Sequence, residues 1–274
     1  MPERLYLDTV AFHQFGKAFA KAELPPELRD RMLISPITMF EVLSQLTTTG
    51  ADDVLRQLQA TLNWTNPKHT GLLPWPDDAL FSIWFKKIAP DHEFKTRMEK
   101  ALNTCLAANS PGELREEAGR LKDAMDETKD RTAQDFGLLL EAARKEGLDG
   151  EGFSKAWFQG IANRIKADSA SRDMAEIVTQ LNAYHEFEKE KLRVALASKG
   201  YNPERHKNDL LDAEQLIYLS DPSLCFLTCD NGFRRIKDSP QAKRIFIVTP
   251  PEDLAKPTVV ETVRKILGAP PGPP

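Results

Sequence analysis

One stretch decides the fold of this chain: residues 208–233, with the sequence NDLLDAEQLIYLSDPSLCFLTCDNGF. Its first half predicts a helix, because apolar residues recur at helical spacing and Asn208-Asp209 can cap the start. Leu224–Thr228 then has the composition of a buried strand, and the Asp-Asn-Gly sequence from Asp230 is typical of a turn. A helix that leads into a buried strand indicates an α/β fold.

The first 50 residues show the same alternation of predicted strands and helices. Arg4–Asp8 predicts a buried strand that stops at an aspartate, and Met32–Ile34 predicts a second strand. Ser35-Pro36 then opens a helix, because serine caps helices and proline is tolerated at the first helical position. We therefore predict a parallel sheet with helices on its faces, in one α/β domain built from both ends of the chain.

The middle of the chain predicts helices alone. One helical face is set by Leu55, Leu58 and Leu62, and the stretch 111–145 is rich in Glu, Lys, Arg, Ala and Leu. Further helices are predicted over 152–167 and 172–198, because their apolar residues keep a spacing of three and four.

These patterns of predicted secondary structure divide the chain into two parts. Residues 1–50 and 200–274 form the predicted α/β core, and its proline-rich end, 266–274, is expected to be a disordered tail. Residues 51–199 form an all-helical insertion or an expanded helical layer.

Composition restricts the classes of protein that fit. The 274 residues include 41 acidic and 37 basic side chains, for a net charge of -4. We expect no membrane span and no secretory signal, because no run of eighteen apolar residues occurs and the first residues lack an apolar region. Three cysteines favour a reducing compartment, by default the cytoplasm. Because the balance is acidic, binding of nucleic acid requires a local basic patch and metal ions.

Four acidic residues lie where an α/β sheet places its sites. Two of them, Asp8 and Asp230, follow the ends of predicted strands. The other two lie on helices: Glu41 after the second strand and Asp212 before the 224–228 strand. Sites form outside the carboxyl ends of parallel strands, so we expect these carboxylates to converge. Converging acids repel and need cations such as Mg²⁺ or Mn²⁺, and two such ions can clamp a phosphodiester and activate a water.

The segments around these acids resemble PIN-domain ribonucleases. The matching segments are LYLDT with Asp8, ISPITMFEVL with Glu41, NDLLDAEQLIYL with Asp212 and FLTCDNGF with Asp230. The resemblance implies a three-layer α/β/α fold with a central, mainly parallel sheet. It also implies RNA cleavage that depends on Mg²⁺ or Mn²⁺, with the four acids at the metal site and Thr228 helping to hold a ligand or water.

The family also suggests partners. It includes the toxin nucleases of bacterial toxin–antitoxin pairs and commonly forms dimers, so the resemblance implies an RNA substrate, an antitoxin or other protein partner, and a second copy of the chain. It covers residues 1–50 and 200–250 only. The long helical block between them leaves open whether the role is that of a toxin, a defence nuclease or an RNA-processing enzyme.

Each acid also has a structural alternative. Glu41 follows Thr38 by three residues, which is the spacing of a capping box. Asp209 lies one helical turn before Asp212, so it is either the cap of its helix or a metal ligand in place of Asp212 or beside it. Asp230 begins a turn sequence and fits a turn equally well on its own.

A basic stretch follows the last acid, and its residues are the candidate RNA contacts: Arg234, Arg235, Lys237, Lys243 and Arg244. Such side chains would hold phosphates beside the metals, although a solvated helix and strand edge is an alternative for each. Two other functions stay open: a degenerate PIN-like module that binds RNA or protein without cutting, and a PIN-like structure-specific DNA nuclease.

Overall fold

A computed structural model describes residues 3–19, 26–65, 71–88, 92–147, 150–248 and 256–268. It contains a sheet of four strands, β1 (Arg4–Leu7), β2 (Met32–Ile34), β3 (Leu224–Thr228) and β4 (Ile245–Ile247), in the order β2-β1-β3-β4. Every pair of neighbours is parallel. Since Leu7 pairs with both Ile34 and Leu227, the strands β2, β1 and β3 end at about the same level. The predicted α/β class and parallel sheet are confirmed.

The central strands β1 and β3 are buried on both faces because their side chains alternate between two clusters. On β1, Leu5 and Leu7 pack in one cluster, with residues of the first and last helices, whereas Tyr6 points into the other. On β3, Cys225 and Leu227 share the side of Leu5, and Phe226 stacks on Tyr6 with ring centroids 4.8 Å apart. Continuous apolar runs such as LCFLT are typical of strands covered on both sides.

Helices make up most of the described chain. The α-helices are α1 (Thr9–Phe19), α2 (Pro26–Arg29), α3 (Pro36–Ser44), α4 (Ala51–Thr65), α5 (Pro76–Phe85), α6 (His92–Ala107), α7 (Arg115–Glu146), α8 (Gly150–Arg164), α9 (Met174–Gln180), α10 (Asn182–Ala197), α11 (Lys207–Asp212) and α12 (Lys256–Ile266). Short 3₁₀ helices connect several of them, including Ala213–Ser220 before β3 and Asn231–Ile236 after it. None of the described helices combines the length and the apolar character needed to cross a bilayer.

The middle helices share a core with the sheet. Trp84 and Phe158 stack with centroids 4.8 Å apart, in the same buried cluster as Tyr6 and Phe226 of the strands. A further strand-like link is the isolated bridge between Ile34 and Leu72. Helix α5 and helices α7 to α10 therefore share the core on the Tyr6 face of the sheet, whereas α4 and α6 form a separate buried cluster with Phe12 and Ile34.

Two details of the helices differ from the sequence prediction. The helix predicted over 172–198 is broken at Leu181 into α9 and α10. The Gln241 side chain fills the break: its amide accepts from the Ala183 N–H at 2.7 Å and donates to the Gln180 carbonyl at 2.7 Å. Apolar spacing alone does not reveal a break whose backbone groups are satisfied by a distant side chain.

The predicted tail also begins too early. Leu267 is buried at 2% exposure beside α12, so at least this residue belongs to the core. The rest of the predicted tail from residue 269 onward lies outside the described residues.

Candidate functional site

Asp8 lies at the carboxyl end of β1 and is buried at 7% exposure. It precedes α1, and its Oδ1 accepts from the Ala11 N–H at 2.6 Å, while Oδ2 accepts from the Thr228 hydroxyl. Burial raises the pKa of Asp8 to about 6. Its two hydrogen bonds oppose this shift in pKa, and the negative charges of Asp230 and Glu41 add to it. A carboxylate in this environment is stabilised by a cation.

Thr228 links the acid of β1 to the acid that follows β3. Its fully buried hydroxyl donates to Asp8 and accepts from the Asp230 N–H at 2.9 Å. The Asp230 Oδ1 in turn accepts from the Gly232 N–H at 2.7 Å. A Cβ at Gly232 would lie 3.0 Å from the Asp230 Oδ2, so glycine allows this close approach. The turn interpretation of Asp230 is therefore confirmed, and the turn holds the carboxylate near Asp8.

Glu41 reaches the same region from α3. Ser35 caps this helix, because its Oγ accepts from the Thr38 N–H at 3.1 Å. The capping-box alternative for Glu41 is thus wrong, since Thr38 is inside the helix and not at its cap. The Glu41 carboxylate instead accepts from the Thr9 hydroxyl and lies 3.4 Å from the Lys129 ammonium.

Asp212 completes the group from the last residue of α11. Burial raises its pKa well above the usual range. The nearby carboxylates add to this shift in pKa, in the order Glu41, Asp8 and Asp230. The four predicted acids therefore act on one another electrostatically, as expected for carboxylates gathered at one edge of a sheet.

Asp209 differs from these four. The helix α11 begins at Lys207 and not at Asn208 or Asp209, so neither residue caps it. The Asp209 side chain is 53% exposed, and its Oδ2 lies 3.7 Å from the His206 Nδ1. Asp209 is also not among the charges that raise the pKa of Asp8 or Asp212. We therefore place Asp209 at the exposed end of α11, beside the group of four.

The acids are near one another without forming a finished coordination shell. Over the described residues, no three His, Cys, Asp or Glu side chains are arranged so that they hold a metal ion together. Each of three carboxylates is bonded to a local donor instead: Asp8 to Thr228, Glu41 to Thr9 and Asp230 to Gly232. Mg²⁺ commonly uses one or two protein carboxylates together with waters and substrate phosphate.

The predicted RNA contacts divide into two groups. Four of these side chains, Arg234, Arg235, Lys237 and Lys243, are exposed. Arg244 is structural: its guanidinium donates to the carbonyl oxygens of Asp221 at 2.6 Å and Leu224 at 2.7 Å, and also to that of Leu219. Arg244 therefore ties β3 to the preceding 3₁₀ helix. The prediction that Arg244 contacts RNA is corrected, because its guanidinium is already bonded within the protein.

Two lysines near the acids, Lys191 buried and Lys129 partly buried, were not predicted from the sequence. Lys129 of α7 has a side chain only 14% exposed and contacts Glu41. Lys191 of α10 is 3% exposed, and its ammonium donates to the Asp209 carbonyl. A sequence signal exists for the first, because Lys129 falls between Met125 and Ala133 on the buried stripe of α7. A charge on such a stripe indicates a partner inside the protein.

No family model, curated protein or solved structure matches this chain. The geometry of the carboxylates and their surroundings therefore carries the functional interpretation.

Proposed function

We propose that this protein is a metal-dependent endoribonuclease. The observation that supports it is that the negative charges of Glu41, Asp8 and Asp230 all act on Asp212, although the four acids come from separate parts of the chain. A carboxylate whose pKa is raised by burial costs folding energy, and such groups cluster at functional sites. Asp8 and Asp212 are of this kind. Four carboxylates at the carboxyl edge of a parallel sheet favour a site for cations and an anionic substrate.

The donor set fits Mg²⁺ or Mn²⁺. All four side chains offer carboxylate oxygens, and over the described residues no histidine or cysteine joins them as a candidate ligand. Burial raises the pKa of Asp8 and Asp212, and the neighbouring carboxylates add to the shift, so a bound cation would stabilise the charged form of both. Bound Mg²⁺ or Mn²⁺ would supply an acidified water and offset the charge of the phosphodiester.

The chain's own groups would have distinct roles. Asp8 and Asp212, whose pKa is raised by burial, would hold the cations, with Glu41 and Asp230 beside them. Thr228 fixes the orientation of Asp8, because its hydroxyl is bonded on both sides. Lys129 would contact the substrate phosphate once a cation has replaced it at Glu41, and the exposed Arg234 and Arg235 would hold the neighbouring backbone.

The finer structural and cellular assignments belong to the same proposal. Helices on both faces of a parallel sheet suit a PIN-like three-layer arrangement. An antitoxin or a second copy would be the natural protein partner of such a nuclease, and the cytoplasm its compartment. Growth arrest on expression, relieved by Asp8→Asn, would distinguish a toxin from an RNA-processing enzyme.

Cleavage assays test the proposed reaction directly. Purified protein incubated with mixed RNA is expected to cut it with Mg²⁺ or Mn²⁺, to stop with EDTA, and to recover when excess Mn²⁺ is added, because the carboxylates need a cation. Flap DNA and duplex DNA run in parallel separate the ribonuclease from a structure-specific DNA nuclease. RNA binding without cleavage under every metal condition would contradict the proposal and favour the non-cutting module.

Lys129 allows a second test of the site. We expect Lys129→Met to lower kcat for RNA by on the order of 100-fold, because a cation aimed at the phosphate is lost. The Mn²⁺ concentration for half-maximal rate is expected to fall, since Glu41 loses its competing ammonium. Lys129→Arg should recover part of kcat, because it restores the charge.

The matched control for Lys129 is Lys122→Met, on the same helix. Lys122 is exposed and pairs with Asp126 at 2.6 Å, away from the acids. Its replacement should leave both kcat and the Mn²⁺ requirement unchanged. If Lys129→Met and Lys122→Met behave alike, or if the metal requirement of Lys129→Met rises with the loss of rate, the assigned role of Lys129 is wrong.

A further inference from the structure

An aromatic cleft lies beside the group of acids. It has a volume of about 380 Å³ and is lined by residues that include Phe40, Trp75, Asp77, Asp78, Met125 and Thr128. Cavities of this size are typical of small-ligand sites. Its walls come from α3, α5 and α7, so the middle helices contribute most of the cleft.

The cleft and the acid site share two helices. Phe40 directly precedes Glu41 on α3, and Thr128 directly precedes Lys129 on α7. Consecutive Cα atoms are about 3.8 Å apart, and the Glu41 and Lys129 side chains meet at 3.4 Å. A substrate bound at the acids would therefore have its next chemical group within reach of the cleft.

Two rings give the cleft a surface for stacking. The Phe40 and Trp75 ring centroids are 5.4 Å apart, with the rings tilted by 57°. Both side chains are half-buried, and Phe40 packs against the buried cluster of Ile37, Met125 and Leu211. The rings are therefore held in place while part of their surface stays accessible. Single-stranded RNA is commonly bound by stacking of bases on such rings.

The charge of the rim indicates which part of the RNA would enter. Asp77 and Asp78 lie in the first turn of α5. The Asp77 carboxylate is held by the Arg164 Nε at 2.5 Å and its side chain remains 45% exposed. Carboxylates repel phosphates and accept hydrogen bonds from base N–H groups. The rim therefore favours a base over the backbone, and guanine offers two neighbouring N–H donors on one edge.

We propose that this cleft is a nucleobase subsite that takes one base, with guanine preferred, next to the phosphate bound at the acids. The proposal rests on the proposed ribonuclease function for the identity of the polymer. Base recognition would then make cleavage selective for a position in single-stranded RNA. The middle helices would supply this selectivity, since Trp75, Asp77 and Thr128 all belong to residues 51–199.

The test measures binding without cleavage. The full chain carrying Asp8→Asn is titrated in Mg²⁺ with fluorescent single-stranded RNA of about ten nucleotides that contains one guanine, and with the same RNA made abasic at that guanine. Adding Trp75→Ala is expected to weaken binding of the intact RNA about tenfold. It should leave binding of the abasic RNA unchanged, because the stacking partner is already absent. Trp75→Phe should restore most of the affinity.

The control is Leu138→Ala, which removes a 67% exposed apolar side chain from α7 away from the cleft, and it should change neither titration. Equal weakening of both RNAs by Trp75→Ala would overturn the subsite, as would no weakening of either. Replacing the guanine by uracil should also weaken binding, and an equal affinity for the two would overturn the preference for guanine. Because binding is measured with Asp8→Asn, a chain that binds in this way and never cuts would contradict only the proposed function.

Discussion

Asp8→Asn is expected to abolish RNA cleavage, with a loss on the order of 10³-fold or more. The substitution removes the charge of a buried carboxylate that interacts electrostatically with Glu41, Asp212 and Asp230. It keeps an oxygen that can accept from the Ala11 N–H, so the end of β1 and the start of α1 should stay in place. The loss follows because metal-assisted phosphodiester cleavage requires the anionic ligands that hold the cation.

Asp230→Asn is the companion variant. Asparagine also accepts hydrogen bonds from nearby backbone N–H groups, so the turn to Gly232 should be retained while the charge is lost. The assay is the rate of cleavage of a defined single-stranded RNA in Mn²⁺, with Asp209→Asn as the matched control. Because the Asp209 side chain is 53% exposed, its variant should keep the rate within a few-fold. Undiminished, metal-independent cleavage by the Asp8→Asn/Asp230→Asn double variant would contradict the mechanism.

The dependence of stability on pH tests whether Asp8→Asn is folded and whether the lost charge is the cause of its effect. The folded-state pKa of Asp8 is raised from 3.8 to about 6, so the folded state holds its proton more tightly than the unfolded state does. Its contribution to stability is complete below pH 3.8 and is lost as the pH rises through about 6. The full difference corresponds to about 3 kcal/mol.

The measurement is the free energy of unfolding in urea with EDTA, for the natural chain and for Asp8→Asn. Asparagine does not titrate, so the variant is expected to gain stability relative to the natural chain between pH 4 and pH 7. The gain should approach about 3 kcal/mol. If the free energies of unfolding of the two proteins differ by the same amount at pH 4 and at pH 7, the pKa of Asp8 is not raised as described.

Arg164→Met is expected to destabilise the protein by about 3–5 kcal/mol. Arg164 of α8 forms two hydrogen bonds to Glu214, Nη1 to Oε1 at 2.5 Å and Nη2 to Oε2 at 2.8 Å. Glu214 is 6% exposed and lies in the 3₁₀ helix that leads into β3. Removing the guanidinium leaves a buried carboxylate without its cation, which is the costly way to break such a pair.

The pair also joins the middle helices to the sheet. Since both parts share one buried cluster, Arg164→Met should lower the midpoint of a single unfolding transition, followed by far-ultraviolet circular dichroism and by tryptophan fluorescence. Arg193→Met is the control, because Arg193 pairs with Glu190 on an exposed face at 2.7 Å and should change stability by less than about 1 kcal/mol. Adding Glu214→Gln to Arg164→Met should recover part of the loss. Two separate transitions, or an effect no larger than that of the control, would contradict this assignment.

The strands and their burial were predictable because the apolar runs that form them are local features of the sequence. LYL, MLI and LCFLT are short apolar runs that end at polar residues, and each forms a strand of the parallel sheet. Asp8 and Asp230 could be identified for the same reason, since Asp8 directly follows β1 and Asp230 comes two residues after β3. Thr228 was expected near the acids from the family resemblance alone, and its hydroxyl donates to Asp8 because β3 pairs with β1.

Other assignments depended on contacts that the sequence does not contain. Arg244 belongs to a basic stretch, yet its guanidinium donates hydrogen bonds to three backbone carbonyls of the protein itself. Asp209 has the same helical spacing as a ligand would, but α11 starts earlier than its cap signals indicate and leaves this carboxylate exposed. The break before α10 depends on Gln241, 58 residues beyond the bonded Ala183.

The sequence by itself determined an α/β core from both chain ends, a helical middle and four acids at strand-linked positions, because apolar periodicity and turn chemistry act over a few residues. Only the tertiary structure decided what surrounds those acids. It brought Lys129 to Glu41 and placed Trp75 against Phe40, although these partners lie far apart in the chain. Such pairs are set by the packing of α3, α5 and α7, in which the shape and charge of whole surfaces matter more than any local pattern.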